Sequence, residues 1–546
     1  MKIFNKFATP TLNDKGELTN IEFHYPENFN FSYDVVDVLA AEKPNKLAML
    51  WLSKDKDIEK RFTFADIAKY TNKTANFFLS QGIKKGDKVI LVLKRHFEFW
   101  FSILALHKIG AIAIPATHLL VEDDFVYRFN SGDISAIVCT ADGNVADEAD
   151  KAMKQCPQVK TKIIAHGSKE GWINFTDEVE KASDLLERIE TKATDLSFMF
   201  FTSGTTAYPK IAMHNFTYPL GHIVTAEYWQ NVDENGIHWT ISDTGWAKAL
   251  WGKIYGQWLS EAAIFTYDFD KFDSADILPL FSKYQLTTFC APPTMFRFFI
   301  KNGLENYDLS SLKYVCIAGE ALAPEVFYQF KKATGLSMME GFGQTETTCI
   351  IANLRGTTPT PGSMGIPQPQ YKVRLVNNEG KNVEPDEIGE ICVVAEKGEI
   401  PGMFLGYYNN DEKTDKVWSN GLYHTGDTAK MDENGYFWYI GRTDDMIKSS
   451  GYRIGPVEVE NVIMEIPYVL ECAVTGEPDE IRGQIIKATI VLVDGKEITD
   501  TLAREVQDYV KSHTAPYKYP RIIEFVTELP KTISGKIRRV AIRAEA

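Results

Sequence analysis

Short apolar runs alternate with helical patterns along about the first 400 residues of the chain. Residues 64–79 carry apolar side chains at helical spacing, after a Thr63-x-x-Asp66 start that resembles a helix cap. This alternation is typical of a parallel sheet covered by helices, so an α/β fold is predicted. The strand candidates are residues 88–93, 136–139, 198–201 and 314–317.

The pattern changes twice in the last third of the chain. From about Lys372 the apolar runs are shorter and broken by Gly and Pro, which predicts an antiparallel β subdomain with strands at 373–376 and 388–394. A polar stretch, residues 443–451, then precedes about a hundred residues that form a small α+β domain by their pattern. The elements predicted in this tail are strands at 469–475 and 485–493 and an amphipathic helix at 499–511.

Composition excludes several classes of protein. The formal net charge of −15 argues against a general nucleic-acid binder, because phosphates would meet an overall repulsive field. Seven cysteines are scattered without a Cys-x-x-Cys pair, so neither a zinc site nor a disulfide framework is predicted. No apolar run approaches the roughly 20 residues that span a bilayer, which predicts no integral membrane association.

The N-terminal segment predicts a cytoplasmic location. It lacks the apolar core of a signal peptide, and Asp14 and Glu17 follow too early for a typical transit peptide. The sequence leaves the number of subunits open, a homodimer included.

Residues 198–210 form an apolar strand that runs into a small, hydroxyl-rich loop ending in Lys210. Backbone amides, hydroxyls and a cation in such a loop can wrap phosphates, and a glycine permits close approach. It is not a Walker loop, because Tyr208 and Pro209 precede the lysine. Taken alone, the segment is also compatible with an ordinary loop. The candidate ligands are Thr202, Ser203, Gly204, Thr205, Thr206 and Lys210.

Two further segments carry carboxylates beside glycines. In residues 340–346, Glu346 can hold Mg²⁺, which prefers oxygen ligands, while Thr345 can bond an α-phosphate. In residues 423–427 and 439–445, Asp427 can accept hydrogen bonds from two ribose hydroxyls, and Arg442 can reach a sugar or phosphate oxygen. Each segment alone is equally compatible with a solvated turn or cap.

The last segment, residues 529–536, presents Lys536 after a Ser-Gly pair near the chain end. Together, the four segments resemble the adenylate-forming superfamily of acyl-CoA synthetases, luciferases and peptide-synthetase adenylation domains. The match covers nearly the whole chain. Residues 239–246, 449–456 and 514–521 are most similar to medium-chain acyl-CoA synthetases.

The resemblance implies an AMP-forming acid–thiol ligase that uses ATP, Mg²⁺ and coenzyme A. Lys536 would offset repulsion between the substrate carboxylate and the α-phosphate during adenylation, with Thr345 and Glu346 as the other catalytic residues. Glu346 would ligate Mg²⁺. The remaining nucleotide contacts would be the loop residues above with Gly319, Glu320, Ala321, Glu340, Gly341, Phe342, Gly343, Gln344, Asp427, Arg442 and Arg453.

The resemblance also implies two domains that move relative to each other. Residues 1–441 would form the adenylation domain, with the β-rich subdomain at about 372–441, and residues 447–546 a mobile C-terminal domain. The hinge would be residues 442–446, centred on Asp444. Rotation would replace Lys536 by a tunnel for the thiol. The coenzyme A contacts would be Ser450, Gly451, Tyr452, Arg482, Lys511 and Tyr519.

Two departures from the family pattern and one substitution bear on the substrate. Ala207 replaces a usual glycine in the phosphate loop, and Leu119 replaces a polar residue near the coenzyme A entrance. Gly343 stands where acetate-specific relatives have a tryptophan, so a longer or branched acid is expected to fit. Because Trp251 can refill some of that space, short to medium or branched chains are favoured over long ones. The residues expected to line the acyl pocket are Trp246, Lys248, Trp251, Cys290 and Gly343; Trp251 is equally compatible with a core position.

Three other functions are alternatives to an acyl-CoA synthetase. A luciferase-like oxidation is compatible with the same scaffold, since fold does not fix function, but the predicted coenzyme A residues argue against it. A peptide-synthetase loading domain would need a carrier, and no carrier domain follows Lys536. A non-catalytic nucleotide-binding protein would not need Lys536, Glu346 and Asp427 together.

Overall fold

The computed structural model describes residues 1–202, 209–450, 452–493, 495–531 and 537–544. Within these ranges the chain is a mixed α/β structure, as the sequence predicted. The strands form two large sheets, a separate antiparallel sheet, a C-terminal sheet and an N-terminal hairpin of Ala8–Leu12 with Leu18–Phe23.

The first large sheet has parallel strands at its centre and an antiparallel pair at one edge. Its apolar strands are buried on both faces, as expected for a parallel sheet covered by helices. In spatial order its strands are Gly406–Tyr407, Lys210–Asn215, Leu196–Thr202, Ile112–Pro115, Lys88–Val92, Ala136–Thr140, Thr161–Ala165 and Ile173–Asn174.

The second large sheet is also parallel at its centre, with antiparallel strands at both ends. Strand Met338–Gly343 leads directly into the Gln344 to Glu346 segment, so this sheet positions one of the chemical motifs. In spatial order its strands are Ile366–Pro367, Cys349–Ala352, Met338–Gly343, Tyr314–Ile317, Thr288–Ala291, Ile237–Thr240, Ala263–Tyr267, Leu47–Leu52 and Glu59–Thr63.

The helices cover both large sheets, and within the described residues their apolar side chains pack with the strands in three large clusters. Helix Glu98–Ile109 is buried at every position, because apolar residues surround it on all sides. Helix Phe64–Ser80 begins with the predicted cap: the Asp66 amide donates to Thr63 Oγ1, and the Thr63 amide donates to Asp66. The other α-helices that precede the antiparallel sheet are Val38–Glu42, Glu122–Ser131, Val145–Met153, Phe175–Lys181, Tyr218–Ile223, Ala247–Lys253, Tyr255–Leu259, Ser274–Ile277, Pro279–Lys283, Pro293–Lys301 and Pro324–Thr334.

The antiparallel sheet lies where the sequence predicted it. The strand Leu422–Met431 pairs with Phe437–Arg442, and this pairing places Asp427 opposite Arg442. A short helix, Asp411–Val417, precedes the strands Trp418–Ser419, Leu422–Met431 and Phe437–Arg442 along the chain. The sheet comprises Val373–Val376, Gly389–Val394, Leu422–Met431, Trp418–Ser419 and Phe437–Arg442.

The C-terminal sheet has an apolar cluster of its own, covered by helices Pro456–Ile463 and Leu502–His513. The long strands Val469–Asp479 and Gly483–Leu492 pair antiparallel, which confirms the strand and helix pattern predicted for this region. Helix Arg539–Ala544 ends the described chain. The sheet comprises Tyr452–Ile454, Ile447–Ser449, Gly483–Leu492, Val469–Asp479 and Ile522–Val526.

The remaining features of the described residues are the buried cysteines, the length of the helices and the short turns of other helix types. All seven cysteines are buried thiols. No helix within the described ranges combines the length and apolar character needed to cross a bilayer. The 3₁₀-helices are Ile3–Lys6, Leu304–Asn306 and Pro516–Lys518, and the π-helical turns are Ser32–Asp37 and Val224–Trp229.

Candidate active site

The expected phosphate loop joins two paired strands of the first large sheet. Thr202 ends one strand and pairs with Lys210, which begins the next antiparallel strand. Thr202 and Lys210 therefore lie opposite each other at one end of the sheet, where the predicted phosphate loop begins and ends. The loop residues Ser203, Gly204, Thr205, Thr206 and Ala207 lie outside the described residues.

Lys210 is held against an aromatic ring. Strand Gly406–Tyr407 pairs with the strand of Lys210, and the lysine Nζ lies 4.9 Å from the centroid of the Tyr407 ring. Burial lowers the pKa of Lys210, while the carboxylate of Glu346 acts in the opposite direction. A partly desolvated cation of this kind interacts with phosphate more strongly than a solvated one.

Glu346 is hydrogen-bonded to the same tyrosine. The hydroxyl of Tyr407 donates to Glu346 Oε1 at 2.8 Å, and the amide of Phe404 donates to the Glu346 carbonyl at 2.8 Å. Burial and the Glu346 carboxylate raise the pKa of Tyr407, so its hydroxyl remains a donor. A half-buried carboxylate beside Lys210 has the oxygen chemistry that Mg²⁺ shares with phosphate, so Glu346 fits a magnesium ligand.

The backbone of Thr345 is fixed by a buried histidine. His214 Nε2 donates to the carbonyl oxygen of Thr345 at 2.8 Å. Burial lowers the pKa of His214 to about 4, so the ring is neutral at pH 7 and keeps the donating proton on Nε2. This contact crosses between the two large sheets and holds the half-buried Thr345 and Glu346 in place.

Gln344 and Asp427 meet in a hydrogen-bonded network. The side-chain amide of Gln344 donates to Asp427 Oδ2 and to the Thr425 carbonyl, and its oxygen accepts from Tyr423 at 2.8 Å. The Tyr439 hydroxyl donates to Asp427 Oδ1 at 2.9 Å. Asp427 is almost fully buried, yet both carboxylate oxygens have donors. The network therefore fixes the carboxylate in one orientation, as recognition of a diol requires.

Arg442 completes this part of the site. Its Nη1 lies 3.8 Å from Asp427 Oδ1, and its Nε lies 3.4 Å from Asp444 Oδ1. Burial alone would lower the pKa of Arg442, but the carboxylates of Asp427 and Asp444 outweigh it and raise the pKa. The guanidinium is therefore a permanent cation between the predicted ribose ligand and the predicted hinge.

Glu340 is a buried acid beside the loop that contains Gly319 and Glu320. The amide of Leu322 donates to Glu340 Oε1 at 3.3 Å, and burial raises the pKa of Glu340 to about 8. Glu320 Oε2 accepts from Thr294 at 2.7 Å. The backbone of Gly319, with φ of +108°, is in the region that favours glycine. The predicted nucleotide segment, residues 340–346, thus begins with a carboxyl group that is neutral at pH 7.

The two residues that follow Glu340 pack against aromatic rings. A Cβ added to Gly341 would lie 2.6 Å from the Trp229 ring, so only glycine fits there without movement. The Phe342 ring lies 6.0 Å from the Tyr439 ring, centroid to centroid. Ala321 is half buried on the neighbouring loop. The structure therefore brings the predicted nucleotide segment against the antiparallel sheet that carries Asp427.

The expected acyl-pocket residues lie close together. Lys248 Nζ donates to the Ala318 carbonyl at 3.1 Å and lies 5.7 Å from the Trp251 ring centroid. The rings of Trp251 and Trp229 are 5.9 Å apart. Burial raises the pKa of the Cys290 thiol, and the charge of Lys248 opposes that shift. Lys248 and Trp251 therefore lie beside Trp229, and the buried Cys290 thiol is near the charge of Lys248.

Gly343 and Trp246 contribute differently from what the sequence suggested. A Cβ added to Gly343 would lie 2.2 Å from the carbonyl oxygen of Thr348, so the close approach of two strands itself requires glycine. Trp246 is half buried and precedes helix Ala247–Lys253. Strand packing therefore requires glycine at position 343, independently of any role in the predicted acyl pocket.

One group of expected coenzyme A residues is clustered around the tight turn after strand Ile447–Ser449. Ser450, with φ of +50°, donates its amide to the Arg482 carbonyl at 2.9 Å, and Arg482 Nη1 donates to Ser450 Oγ at 3.2 Å. The exposed ring of Tyr452 stacks on Tyr517 with centroids 4.0 Å apart. Gly451 lies outside the described residues.

The other expected coenzyme A residues form a second cationic group. Lys511 Nζ lies 4.3 Å from the Tyr519 ring centroid and 3.4 Å from Asp508 Oδ1, and the Arg521 guanidinium lies 5.0 Å from the same ring. Such exposed cations suit phosphate groups. Leu119 is 56% exposed, so it presents an apolar surface to solvent.

The predicted hinge is contacted by the last helix. Arg543 Nη1 donates to the Asp444 carbonyl at 3.3 Å, and Arg539 Nη1 lies 3.8 Å from Asp445 Oδ2. Arg453 is exposed on strand Tyr452–Ile454. Lys536 lies outside the described residues.

Sequence reasoning did not select Tyr407 or His214. Tyr407 contacts Glu346 only because its strand pairs with the strand of Lys210, and His214 reaches Thr345 only because the two large sheets pack together. Neither contact has a local sequence signal. Tyr423 and Tyr439 lie inside the predicted nucleotide segments 423–427 and 439–445, but the sequence does not predict that their hydroxyls act as donors.

Comparison with known families gives two matches. The family model described as AMP-binding enzyme matches residues 36–408, and the model described as AMP-binding enzyme C-terminal domain matches residues 458–536.

Curated relatives match over almost the whole chain. The human protein named acyl-coenzyme A synthetase ACSM3, mitochondrial, is 38% identical over 552 residues, covering 99% of this chain and 94% of its own. The human protein named acyl-coenzyme A synthetase ACSM5, mitochondrial, is 39% identical over 530 residues, covering 95% and 91%. The expected cytoplasmic location is wrong by this comparison, because these relatives are mitochondrial. The early acidic residues Asp14 and Glu17 are therefore not evidence for a cytoplasmic location.

Solved structures show the same architecture. The anthranilate CoA ligase AuaEII in complex with anthranoyl-AMP has a TM-score of 0.88 at 29% identity, covering 95% of this chain and 98% of its own. The acyl-CoA synthetase of Brucella canis has a TM-score of 0.71 at 32% identity, covering 95% and 94%.

Proposed function

Since this chain belongs to the AMP-binding enzyme family, we propose that it converts a carboxylic acid, ATP and coenzyme A into an acyl-CoA, AMP and pyrophosphate. In the first step a carboxylate oxygen attacks the α-phosphorus of ATP, and pyrophosphate leaves. In the second step the coenzyme A thiol attacks the acyl carbon, its proton is lost, and AMP leaves. Identity of 38% across 99% of the chain to an acyl-coenzyme A synthetase carries this proposal.

The phosphate side of the reaction is assigned to Lys210, Thr202 and Glu346. The desolvated ammonium of Lys210 would bind phosphate oxygens, next to the loop that begins at Thr202. Glu346 would hold Mg²⁺, which would neutralise charge on the polyphosphate when bound. The Tyr407 hydroxyl orients this carboxylate, so that one oxygen keeps a protein donor.

The nucleoside side is assigned to the Asp427 network. Gln344 and Tyr439 fix the orientation of the buried carboxylate before substrate arrives. A carboxylate held in this way can accept from two vicinal ribose hydroxyls at little cost in side-chain entropy. Arg442 adds a permanent cation at the same edge.

Lys536 is proposed to act in adenylation, and the C-terminal domain to move before the thiol attacks. A cation between the substrate carboxylate and the α-phosphate would lower the repulsion that opposes the first step. Rotation at Asp444 would have to break its contacts with Arg442 and Arg543. The turn at Ser450 and the cations at Arg482 and Lys511 would then receive coenzyme A.

The proposed acid is of short to medium chain length or branched. The supporting observation is that the bulky rings of Trp229 and Trp251 pack together beside Lys248, which favours a shorter or branched chain over a long one. If Lys248 lies near the substrate carboxylate, Lys248→Ala should weaken acid binding. Unchanged acid affinity in that variant would remove Lys248 from the pocket.

The test is acid-dependent pyrophosphate release across acetate, butyrate, hexanoate, octanoate, branched acids, benzoate and anthranilate, with and without coenzyme A. Release with one class of acid, accelerated by coenzyme A and accompanied by AMP and thioester, supports the proposal and identifies the acid. Release without thioester would indicate another acceptor, as in a luciferase or loading domain. Absence of pyrophosphate release with every acid would favour a non-catalytic nucleotide-binding protein.

The proposed assembly is a homodimer, which static light scattering would test.

A further inference from the structure

Three metal-ligating side chains converge on the antiparallel sheet outside the contacts assigned above. Cys392 and His424 are directly opposite each other on neighbouring strands, and Glu390 belongs to the same strand as Cys392. A register shift between Glu390 and Cys392 brings the Glu390 side chain to the same histidine nitrogen. We refer to Glu390, Cys392 and His424 as the Glu–Cys–His cluster.

The distances within the Glu–Cys–His cluster are those of ligands around one small ion. Cys392 Sγ lies 3.4 Å from His424 Nδ1, and His424 Nδ1 lies 3.0 Å from Glu390 Oε2. With Zn–S near 2.3 Å, Zn–N near 2.05 Å and tetrahedral angles, these separations would be about 3.6 Å and about 3.3 Å. For these two separations, movements of a few tenths of an ångström are enough, and the third pair of ligand atoms, Cys392 Sγ and the Glu390 carboxylate oxygen, lies within 4.8 Å.

The donor set and its exposure favour zinc. Thiolate and imidazole together select Zn²⁺ over the hard cations Mg²⁺ and Ca²⁺, and a carboxylate completes a common zinc set. Cys392 is fully buried, whereas the side chains of Glu390 and His424 are 24% and 23% exposed, which gives an ion a route from solvent. We propose that Glu390, Cys392 and His424 bind one zinc ion, with the fourth position open to solvent.

A second group of histidines and aspartates is a poorer candidate. His96, Asp142, His166 and Asp268 also lie close together. However, Lys94 Nζ lies 3.0 Å from Asp142 Oδ2 and 3.9 Å from Asp268 Oδ1, so an ammonium already compensates those carboxylates. In the Glu–Cys–His cluster, by contrast, no described lysine or arginine is within ion-pair distance of Glu390, and Arg374, which faces Cys392 on the neighbouring strand, donates to Asn382 and acts on the thiol only at longer range. This difference provides a control within the same chain.

The zinc site would adjoin the nucleotide site. Glu390 Oε1 accepts from the amide of Gly426 at 3.0 Å, and Gly426 precedes Asp427. Because zinc would use Oε2, the bond to Gly426 can persist, and the ion would brace the turn that carries Asp427. Binding replaces the thiol proton of Cys392, which passes to solvent.

The experiment is a titration of the chelator-treated full-length chain with Zn²⁺ and, separately, with Co²⁺. Calorimetry gives the zinc stoichiometry and affinity, and Co²⁺ bound to a thiolate gives a charge-transfer absorption in the near ultraviolet. The variants are His424→Gln and Glu390→Gln, both at partly exposed positions, and Cys392→Ser for the optical signal. His166→Gln is the matched histidine control, and circular dichroism checks that each variant is folded.

The expected result is one zinc ion per chain, a thiolate–cobalt absorption lost in Cys392→Ser, and normal binding in His166→Gln. His424→Gln should weaken zinc binding by about 100-fold or more, since even loss of an outer-shell partner typically costs 10–100-fold. Binding that is lost in His166→Gln but kept in His424→Gln would place the ion at the other cluster and overturn the proposal. Binding unaffected by any variant, or no binding, would also overturn it and leave an ion pair beside a buried thiol.

Discussion

Replacement of Glu340 by glutamine should stabilise the protein at high pH but not at low pH. Glu340 is 4% exposed, its Oε1 accepts from the Leu322 amide, and its Oε2 has no hydrogen-bond partner among the described residues. Burial raises the pKa of this carboxyl group from 4.5 to about 8. Glutamine has nearly the shape of the protonated acid and cannot ionise, so it isolates the effect of the charge.

The sign follows from proton linkage. Between pH 4.5 and about 8 the unfolded chain releases the Glu340 proton whereas the folded chain retains it, so the wild-type free energy of unfolding falls as pH rises. The protonated Glu340 side chain contributes its full stabilisation below pH 4.5, and this contribution is lost by about pH 8. At about 1.4 kcal/mol per pH unit this interval corresponds to roughly 5 kcal/mol, an upper bound on the advantage of Glu340→Gln.

The assay is urea denaturation of both proteins at half-unit steps from pH 5 to pH 9, without nucleotide. The advantage of Glu340→Gln should grow across that range and level off above pH 8. Glu325→Gln, at an exposed position on helix Pro324–Thr334, is the matched control and should show a constant difference. A constant difference for Glu340→Gln as well would refute the reasoning, because Glu340 would then ionise in the folded protein as it does in the unfolded chain.

Three other changes test the proposed site. Tyr407→Phe removes the donor to Glu346 and should lower kcat/KM for ATP about tenfold, as expected for losing a hydrogen bond to a charged group. The control Tyr408→Phe removes a hydroxyl that contacts Asp133 and should leave kcat/KM unchanged. Equal effects of the two changes would contradict the role proposed for Glu346. Asp444→Pro should slow thioester formation from acyl-AMP more than pyrophosphate release, and equal slowing would argue against the hinge. Lys536→Ala should abolish pyrophosphate release but allow thioester formation from supplied acyl-AMP, and loss of both half-reactions would contradict a role limited to adenylation.

The sequence predicted the elements of the fold well where the signal is local. The cap at Thr63 and Asp66 formed as predicted, because both partners lie within one helical turn. Strands Tyr314–Ile317 and Val373–Val376 have the predicted bounds, since a short apolar run between turn residues has few alternatives. The predicted helix at 499–511 begins at Leu502 instead, and element ends are set by contacts beyond the segment.

For the candidate site, the sequence by itself selected the chemical groups and the family. Glu346, Asp427 and Arg442 could be selected because four short motifs together resemble one superfamily, although each motif alone is also compatible with an ordinary turn or cap. Early acidic residues, by contrast, led to a wrong expectation about location, because the compartment of a protein is not determined by local folding physics.

Only the tertiary structure decided which groups meet and in what state of charge. Tyr407 reaches Glu346 across a strand pair, and Cys392 faces His424 although the two are 32 residues apart. Burial, which the chain acquires only when its sheets pack, keeps Glu340 protonated near neutral pH. The physical reason is the same in each case: side-chain identity is local, whereas distance and desolvation depend on the whole fold.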